Sequence, residues 1–345
     1  MPIERPMGQD PFLQQEPEAD LEIEIVNPES VSMETPDGGV VIDFDPNAMD
    51  EGGTEHDDNL AEYIDEADLR EISSELISAY HSDRDSRSDW EETYINGLDL
   101  LGLKHADRTT PWDGACGVFH PLLTESVVRF QAQAIQELFP AAGPVKTAVI
   151  GAMTEEKQKQ AGRVKDYLNY LLTERMIEYR SETEKMLFSL PLAGSAFRKV
   201  YFDPNMGRPC SMFVPAEDFV VSYGASDLTT CERATHVMKR TKNEVRKLQV
   251  SGFYVDVDLP APSPDIGEIE RKYNQLTGDS ANYDMDSRHT ILEIQVDLDL
   301  PGFEDTKDGE PTEIGLPYVI SIDKSSRTIL AIRRNWYEDD ELKMK

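Results

Sequence analysis

Gly194 and Ser195, in the stretch "SLPLAGSAFRKVYF" with Arg198 and Lys199 close behind, carry residue types that could cradle a phosphate. That chemistry requires G-x-x-x-x-G-K-[ST] between a strand and a helix, so that backbone N–H groups point at the anion. Here the order is inverted: a helical pattern precedes Gly194, a strand pattern follows Ser195, and no second glycine precedes a lysine. Arg198 and Lys199 fall on alternate faces of the strand and cannot both reach one phosphate. Ser195 as a nucleophile would need G-x-S-x-G, which is absent. Pro191, Gly194 and Ser195 therefore read as a helix-to-strand corner.

The other chemistry-bearing residues give no stronger pattern. His120 follows Cys116 by four residues, but a structural zinc site needs a second ligand pair, and neither Cys210 nor Cys231 with His236 supplies one. His120 reads as a partly buried residue beside a helix start. Paired carboxylates such as Glu217-Asp218 and Asp43-Asp45 carry little information in so acidic a chain and read as solvated charge. Lys239, Arg240, Lys242, Arg246 and Lys247 form a basic cluster, either a contact for nucleic acid or an acidic partner or, the favoured reading, one face of a strand and helix paired with local acids. Trp112, among turn residues in "PWDGACGVFHP", is an anchor, either in the core or at a subunit contact. Trp112, Asp113, Gly114, Phe119 and Pro121 are the candidate structural or subunit-contact residues. No catalytic, metal or cofactor site is expected.

The elements that position these residues are legible from periodicity. Leu69, Ile72, Leu76 and Tyr80 form a helical stripe that Trp90, Tyr94, Leu98 and Leu101 resume; the polar run His81 to Asp89 is either the solvated face of one continuous helix, the favoured reading, or a break. Pro121 opens a helix to about Leu138, with Leu123, Val127, Phe130, Ala134 and Leu138 at helical spacing. "VKTAVIG" is a strand candidate. A long helix is expected from Thr154 to Leu190, with Val164, Leu168, Leu171, Leu172 and Tyr179 on a mostly apolar side, closed by Pro191 and Gly194. Period-two patterns then take over. "AFRKVYF" and "CSMFVP" form a hairpin through Asp203, Pro204 and Gly207, followed by strands in "EDFVVSY" and "ATHVMKRT". "TKNEVRKLQVSG" is a short helix capped by Thr241. A polar insertion covers about 259–290, and "ILEIQVDLDL", "LPYVISID" and "TILAIRRNWY" are strands.

The expected class is α+β, long helices followed by a mostly antiparallel sheet. Three regions are expected: a disordered acidic arm (1–59), a helical region (60–190) and a β-rich region (191–345). Of 34 Lys+Arg and 67 Asp+Glu, 21 acids and a single basic residue, Arg5, lie between Met1 and Leu69. Such a segment buries too little apolar surface to offset its ordering entropy. The formal net charge of -33 makes the chain a poor non-specific duplex binder, since tight binding of that kind requires Lys and Arg to displace counterions. Cys116, Cys210 and Cys231 read as free thiols in a reducing compartment. No signal peptide and no apolar run of membrane-spanning length are apparent.

Three blocks carry a resemblance. "TPWDGACGVFHPLLTESVVRFQAQAIQELFP", "RVKDYLNYLLTERMIEYRSETEKMLFSLPLAGSAFRKVYFDP" and "FVPAEDFVVSYGASDLTTCERATHVMKRT" resemble, in order, the N-terminal half of the portal proteins of tailed bacteriophages, in the short-tailed branch. The resemblance spans Leu60 to Tyr337. It implies a non-enzymatic head–tail connector: a homo-oligomeric ring of twelve subunits at one capsid vertex, in the virion after assembly in the host cytoplasm. The ring passes double-stranded DNA without sequence specificity during packaging and ejection, and meets the terminase motor, the capsid or scaffolding protein and the tail adaptor, with no cofactor and no membrane. Family members run longer, so the stem, clip and crown are expected to be absent here and the chain to represent the outer wing. The competing expectation is another virion connector or scaffold-interacting protein with an acidic recruitment arm.

Overall fold

A computed structural model describes residues 32–34, 40–42, 56–101, 110–115, 117, 120–203, 206–222, 224–262, 266–277, 288–307, 310–312 and 314–337. The chain divides into two units, Met1–Glu55 and His56–Lys345. In the first, β1 (Ser32–Glu34) and β2 (Val40–Ile42) pair antiparallel, a pairing that the acidic composition does not predict. The rest of the arm to residue 55 lies outside the described residues. The second unit begins four residues earlier than composition suggests. Asn59 is buried, donates from Nδ2 to Leu330 O at 3.1 Å and accepts from the Ile332 N–H at 2.9 Å, so its amide satisfies an otherwise open sheet edge.

The class is α+β. Helices α1 (Glu66–Ser86), α2 (Ser88–Leu101), α3 (Leu122–Leu138), α4 (Glu155–Tyr170) and α5 (Glu178–Ala193) precede the ribbon β3 (Phe197–Asp203) and β4 (Arg208–Val214). Then come β5 (Phe219–Val221), β6 (Arg233–Arg240), α6 (Lys242–Val250), α7 (Glu268–Thr277) and β7 (His289–Leu298). The two-residue strands β8 (Thr306–Lys307) and β9 (Glu310–Pro311) form a small pair before β10 (Leu316–Asp323) and β11 (Thr328–Arg334). A five-stranded antiparallel sheet runs β11-β10-β7-β6-β5.

One face of this sheet presents Leu292, Ile294, Ile320 and Ile322, all at zero exposure, to Leu76, Ile77 and Tyr80 of α1. Because side chains alternate along a strand, the register that puts Ile294 opposite Ile320 commits the whole apolar set to that face. The opposite face carries Met238, Ile291 and Ala331, covered by Val245 of α6 and Tyr254. Helix α6 has the expected start, a capping box in which Thr241 and Glu244 satisfy each other's backbone N–H.

Three helical expectations and one strand expectation are corrected. The run His81 to Asp89 is mostly exposed, but Asp83 within it is buried against Arg233 at 3.2 Å, and the helix is not continuous: it breaks at Arg87 (φ −101°, ψ 13°). The Arg87 guanidinium turns inward and donates to the carbonyls of Ala216, Phe219 and Glu217. "VKTAVIG" is not a strand. Both backbone groups of Val145 bond the Asn169 side-chain amide (2.9 and 3.2 Å) and the Thr147 hydroxyl donates to Ala161 O, so α4 takes the place of a strand partner.

The helix expected over Thr154 to Leu190 is two helices, interrupted by a π-turn, Leu171–Arg175, and by Met176 (φ −94°, ψ 71°). The wide turn shifts the helical phase by one residue, and buried Met176 pins the bend. Pro191 does not close α5, which continues to Ala193. In the last turn the proline forfeits only the bond to Leu187, and Gly194, left-handed at φ 81°, ends the helix.

Candidate interaction surface

The helical portion is not matched to its neighbours as the sheet is. Helix α3 buries only Val127 (1% exposed), and α4 buries none of its side chains. Phe130 and Leu138, expected on the packed stripe of α3, are exposed. So are Val164, Tyr167 (62%) and Tyr170 on α4, Ile150 (95%) in the segment between the helices, and Ile177 (77%) after the π-turn. Most of the large apolar side chains left in water fall between Trp112 and Met206. The ribbon continues the pattern with Val200, Tyr201, Phe202 and Met206.

What anchors this portion is α5. Buried Leu187 and Thr183 face inward. Glu182 accepts the Phe213 N–H at 2.8 Å, Arg198 donates to the Thr183 hydroxyl at 2.6 Å while covering the Tyr179 ring, and Arg208 pairs with Glu178 at 2.7 Å. The hydrogen bond from Arg208 holds the Glu178 carboxyl below its usual range. These contacts fix the ribbon on the helix while its outward side stays apolar.

The residues singled out in the sequence separate. Trp112 lies in a turn closed by the Ala115 N–H on its carbonyl (3.1 Å) and is 67% exposed, so it is not a core residue. Asp113 and Gly114 are exposed beside it, Gly114 at φ 79°; Pro121 is exposed just before α3. Phe119 and Cys116 lie outside the described residues. His120 is exposed, not partly buried. Gly194 and Ser195 form the corner, both exposed. Asp203 accepts the Met206 N–H at 3.2 Å and Gly207 has φ 58°, the expected hairpin chemistry, while Pro204 lies outside the described residues. Arg198 and Lys199 diverge as alternation requires: Lys199 pairs with Glu293 on β7, away from Thr183.

The basic cluster is in part spoken for, Lys239 by Glu270 and Arg246 by Asp256. Among the described residues no group of three His, Cys, Asp or Glu is placed to hold a metal ion, and no helix is long and apolar enough to cross a membrane.

Glu217 and Asp218, which read as solvated charge in the sequence, are partly buried, and sequence reasoning missed them. They sit in a single turn of 3-10 helix, Ala216–Asp218, which Arg87 clamps through three carbonyls, at the edge of a cleft of about 350 Å³. Helix α7 supplies the facing wall, fixed to α2 by Tyr94 Oη to Tyr273 Oη at 2.8 Å and by Lys272 with Asp99 at 2.6 Å. Burial pushes both carboxyls up, Glu217 further through Asp218, while Lys239 and Arg87 pull Asp218 part of the way back. Burial also raises the Tyr94 hydroxyl far above its ordinary value. No periodicity signals this site, because the elements that meet there lie far apart in sequence.

Neither a scan against protein-family models nor a search of curated proteins finds a match to this chain.

Proposed function

We propose that this chain belongs to a tailed-phage portal subunit, a non-enzymatic connector that acts by assembling with copies of itself into the ring through which double-stranded DNA passes. The observation that carries this reading is the apolar side of α3, α4 and the ribbon, left in water in a single chain. A water-soluble monomer rarely exposes so extended an apolar surface, and such a surface marks a protein–protein contact. Two of the three blocks that resemble portal proteins fall on these elements. Exposed Trp112, in the first block, belongs to the same contact, since aromatic anchors concentrate at interface centres. The net negative charge suits a protein that lets DNA pass without gripping it. In this reading the ring sits at one capsid vertex, meets the terminase motor, capsid or scaffolding protein and tail adaptor, and binds no cofactor.

The acid-rich first 55 residues favour one competing reading, a connector that recruits basic partners through its arm. Size-exclusion chromatography and negative-stain imaging of the protein expressed from its complete reading frame test the proposal. Rings are expected, and they persist when residues 1–55 are deleted. A particle that stays monomeric at high concentration refutes ring assembly, and loss of partner binding on deletion of the arm supports the recruitment module.

A further inference from the structure

The cleft beside α7 has acceptors that nothing among the described residues uses. The Asp218 carboxyl hydrogen-bonds no described residue. Glu217 Oε2 is buried without a partner. Thr290, on β7, is 7% exposed, lines the cleft, and its hydroxyl bonds no described residue. A buried polar group without a partner costs free energy, so the Glu217 oxygen, with the Asp218 carboxyl and the Thr290 hydroxyl lining the same cavity, describes the complement of something that donates. The cations already present act on Asp218 through space but form no hydrogen bond with it. Arg87 is taken up by the turn carbonyls and by Glu91, and Lys239 is held by Glu270. Arg84 lines the same cleft and pairs with no described residue. Tyr80 and Tyr273 add aromatic walls.

We propose that this cleft binds a primary ammonium group, the end of an alkylamine or of a lysine side chain, whose three N–H donors are taken by Asp218, Glu217 and Thr290. Two carboxylates and a hydroxyl match three donors on one small cation. A divalent metal fits less well, since no three acidic or histidine ligands converge among the described residues. The unpaired carboxyls disfavour an anion, against which Arg84 is the one opposing charge without a partner among the described lining residues. Aromatic walls suit an organic cation, which is drawn to the ring faces. The site is independent of ring assembly, because it faces the sheet core and α7 and not the apolar side of α3 and α4.

Calorimetric titration near neutral pH with 1,4-diaminobutane, Nα-acetyl-lysine amide and magnesium chloride tests the proposal. Saturable binding of either amine supports it, and the tighter of the two identifies the source as a free amine or a protein side chain. Asp218→Asn raises the Kd about tenfold, the weakening expected when a charge-assisted hydrogen bond becomes a neutral one. Thr290→Val, nearly the same shape and suited to a strand, raises it several-fold without lowering the thermal midpoint of the free protein. Arg84→Gln removes a competing positive charge and tightens binding. Absence of saturable amine binding, an unchanged Kd in Asp218→Asn with the fold intact, or magnesium binding as tightly as the amines overturns the proposal. If Asp218→Asn fails to fold, Thr290→Val decides: an unchanged Kd is refutation.

Discussion

Replacing His236 with glutamine removes the group in the sheet whose protonation the fold most opposes. His236 lies on β6 opposite Glu293, is 8% exposed, and its Nδ1 has no hydrogen-bond partner. Burial pushes its pKa down to about 4, with Lys199 and Arg240 acting in the same direction and Glu293 opposing them. In the unfolded chain the imidazole takes up its proton near pH 6.5. Between these two values the unfolded state holds a proton that the folded state refuses, so stability is fully present above the unfolded pKa and falls as the pH drops towards the folded one. At one pKa unit per 1.36 kcal/mol, the loss between pH 7 and pH 4.5 amounts to about 2 kcal/mol from this residue. Other groups titrate in the same range, so the informative quantity is a difference of differences. Urea unfolding is measured at both pH values for the wild type and His236→Gln. The variant should lose about 2 kcal/mol less than the wild type over that interval. If both proteins lose the same amount, His236 is not held neutral by its surroundings and the assignment fails.

Further outcomes follow from the packing. Ile320→Ala, at a site of zero exposure, should cost about 3 kcal/mol in urea unfolding because it leaves a cavity between the sheet and α1. Arg87→Ala removes the donor shared by three turn carbonyls and should cost about 2 kcal/mol or more, whereas Arg87→Lys should recover only part of it because a point charge cannot match the guanidinium fork. Gly194→Ala should cost about 1 kcal/mol through its left-handed backbone alone, as no atom lies within 4 Å of the added methyl. Tyr167→Glu with Val164→Glu should leave the thermal midpoint of the monomer nearly unchanged while abolishing self-association, since both side chains are exposed in the single chain.

The antiparallel sheet is legible because its strands carry the two-residue period and its turns carry turn chemistry: Asp203 and Gly207, the Thr241 cap, and both ends of β10 and the start of β11 fall where the residues say, while β11 stops at Arg334, short of the expected Tyr337. The errors have a common physical origin. Charged side chains in α1 look solvated by pattern, yet Asp83 and Arg87 are used by β6 and by the turn before β5, partners distant in sequence. The apolar segment after Gly143 has a strand's pattern, but pattern does not say whether a neighbouring strand exists; the Asn169 amide fills that place. Periodicity also runs unbroken through the π-turn, since one extra residue per turn leaves the apolar count intact. The cleft is illegible for the same reason as the helix break: adjacent carboxylates are informative only once burial and missing partners are known.

The attachment of α4 has a kinetic meaning. It buries no side chain of its own and is tied down by the Asn169 amide on Val145 and the Thr147 hydroxyl on Ala161. Its opening therefore exposes little apolar surface beyond what is already wet and does not require the sheet to melt. Amide protons of α4 should exchange by local opening, orders of magnitude faster than those of β7 and β10, which wait for global unfolding. A partner laid over Val164, Tyr167 and Tyr170 would close that route, so slowed exchange confined to this one helix gives a residue-level clock for assembly.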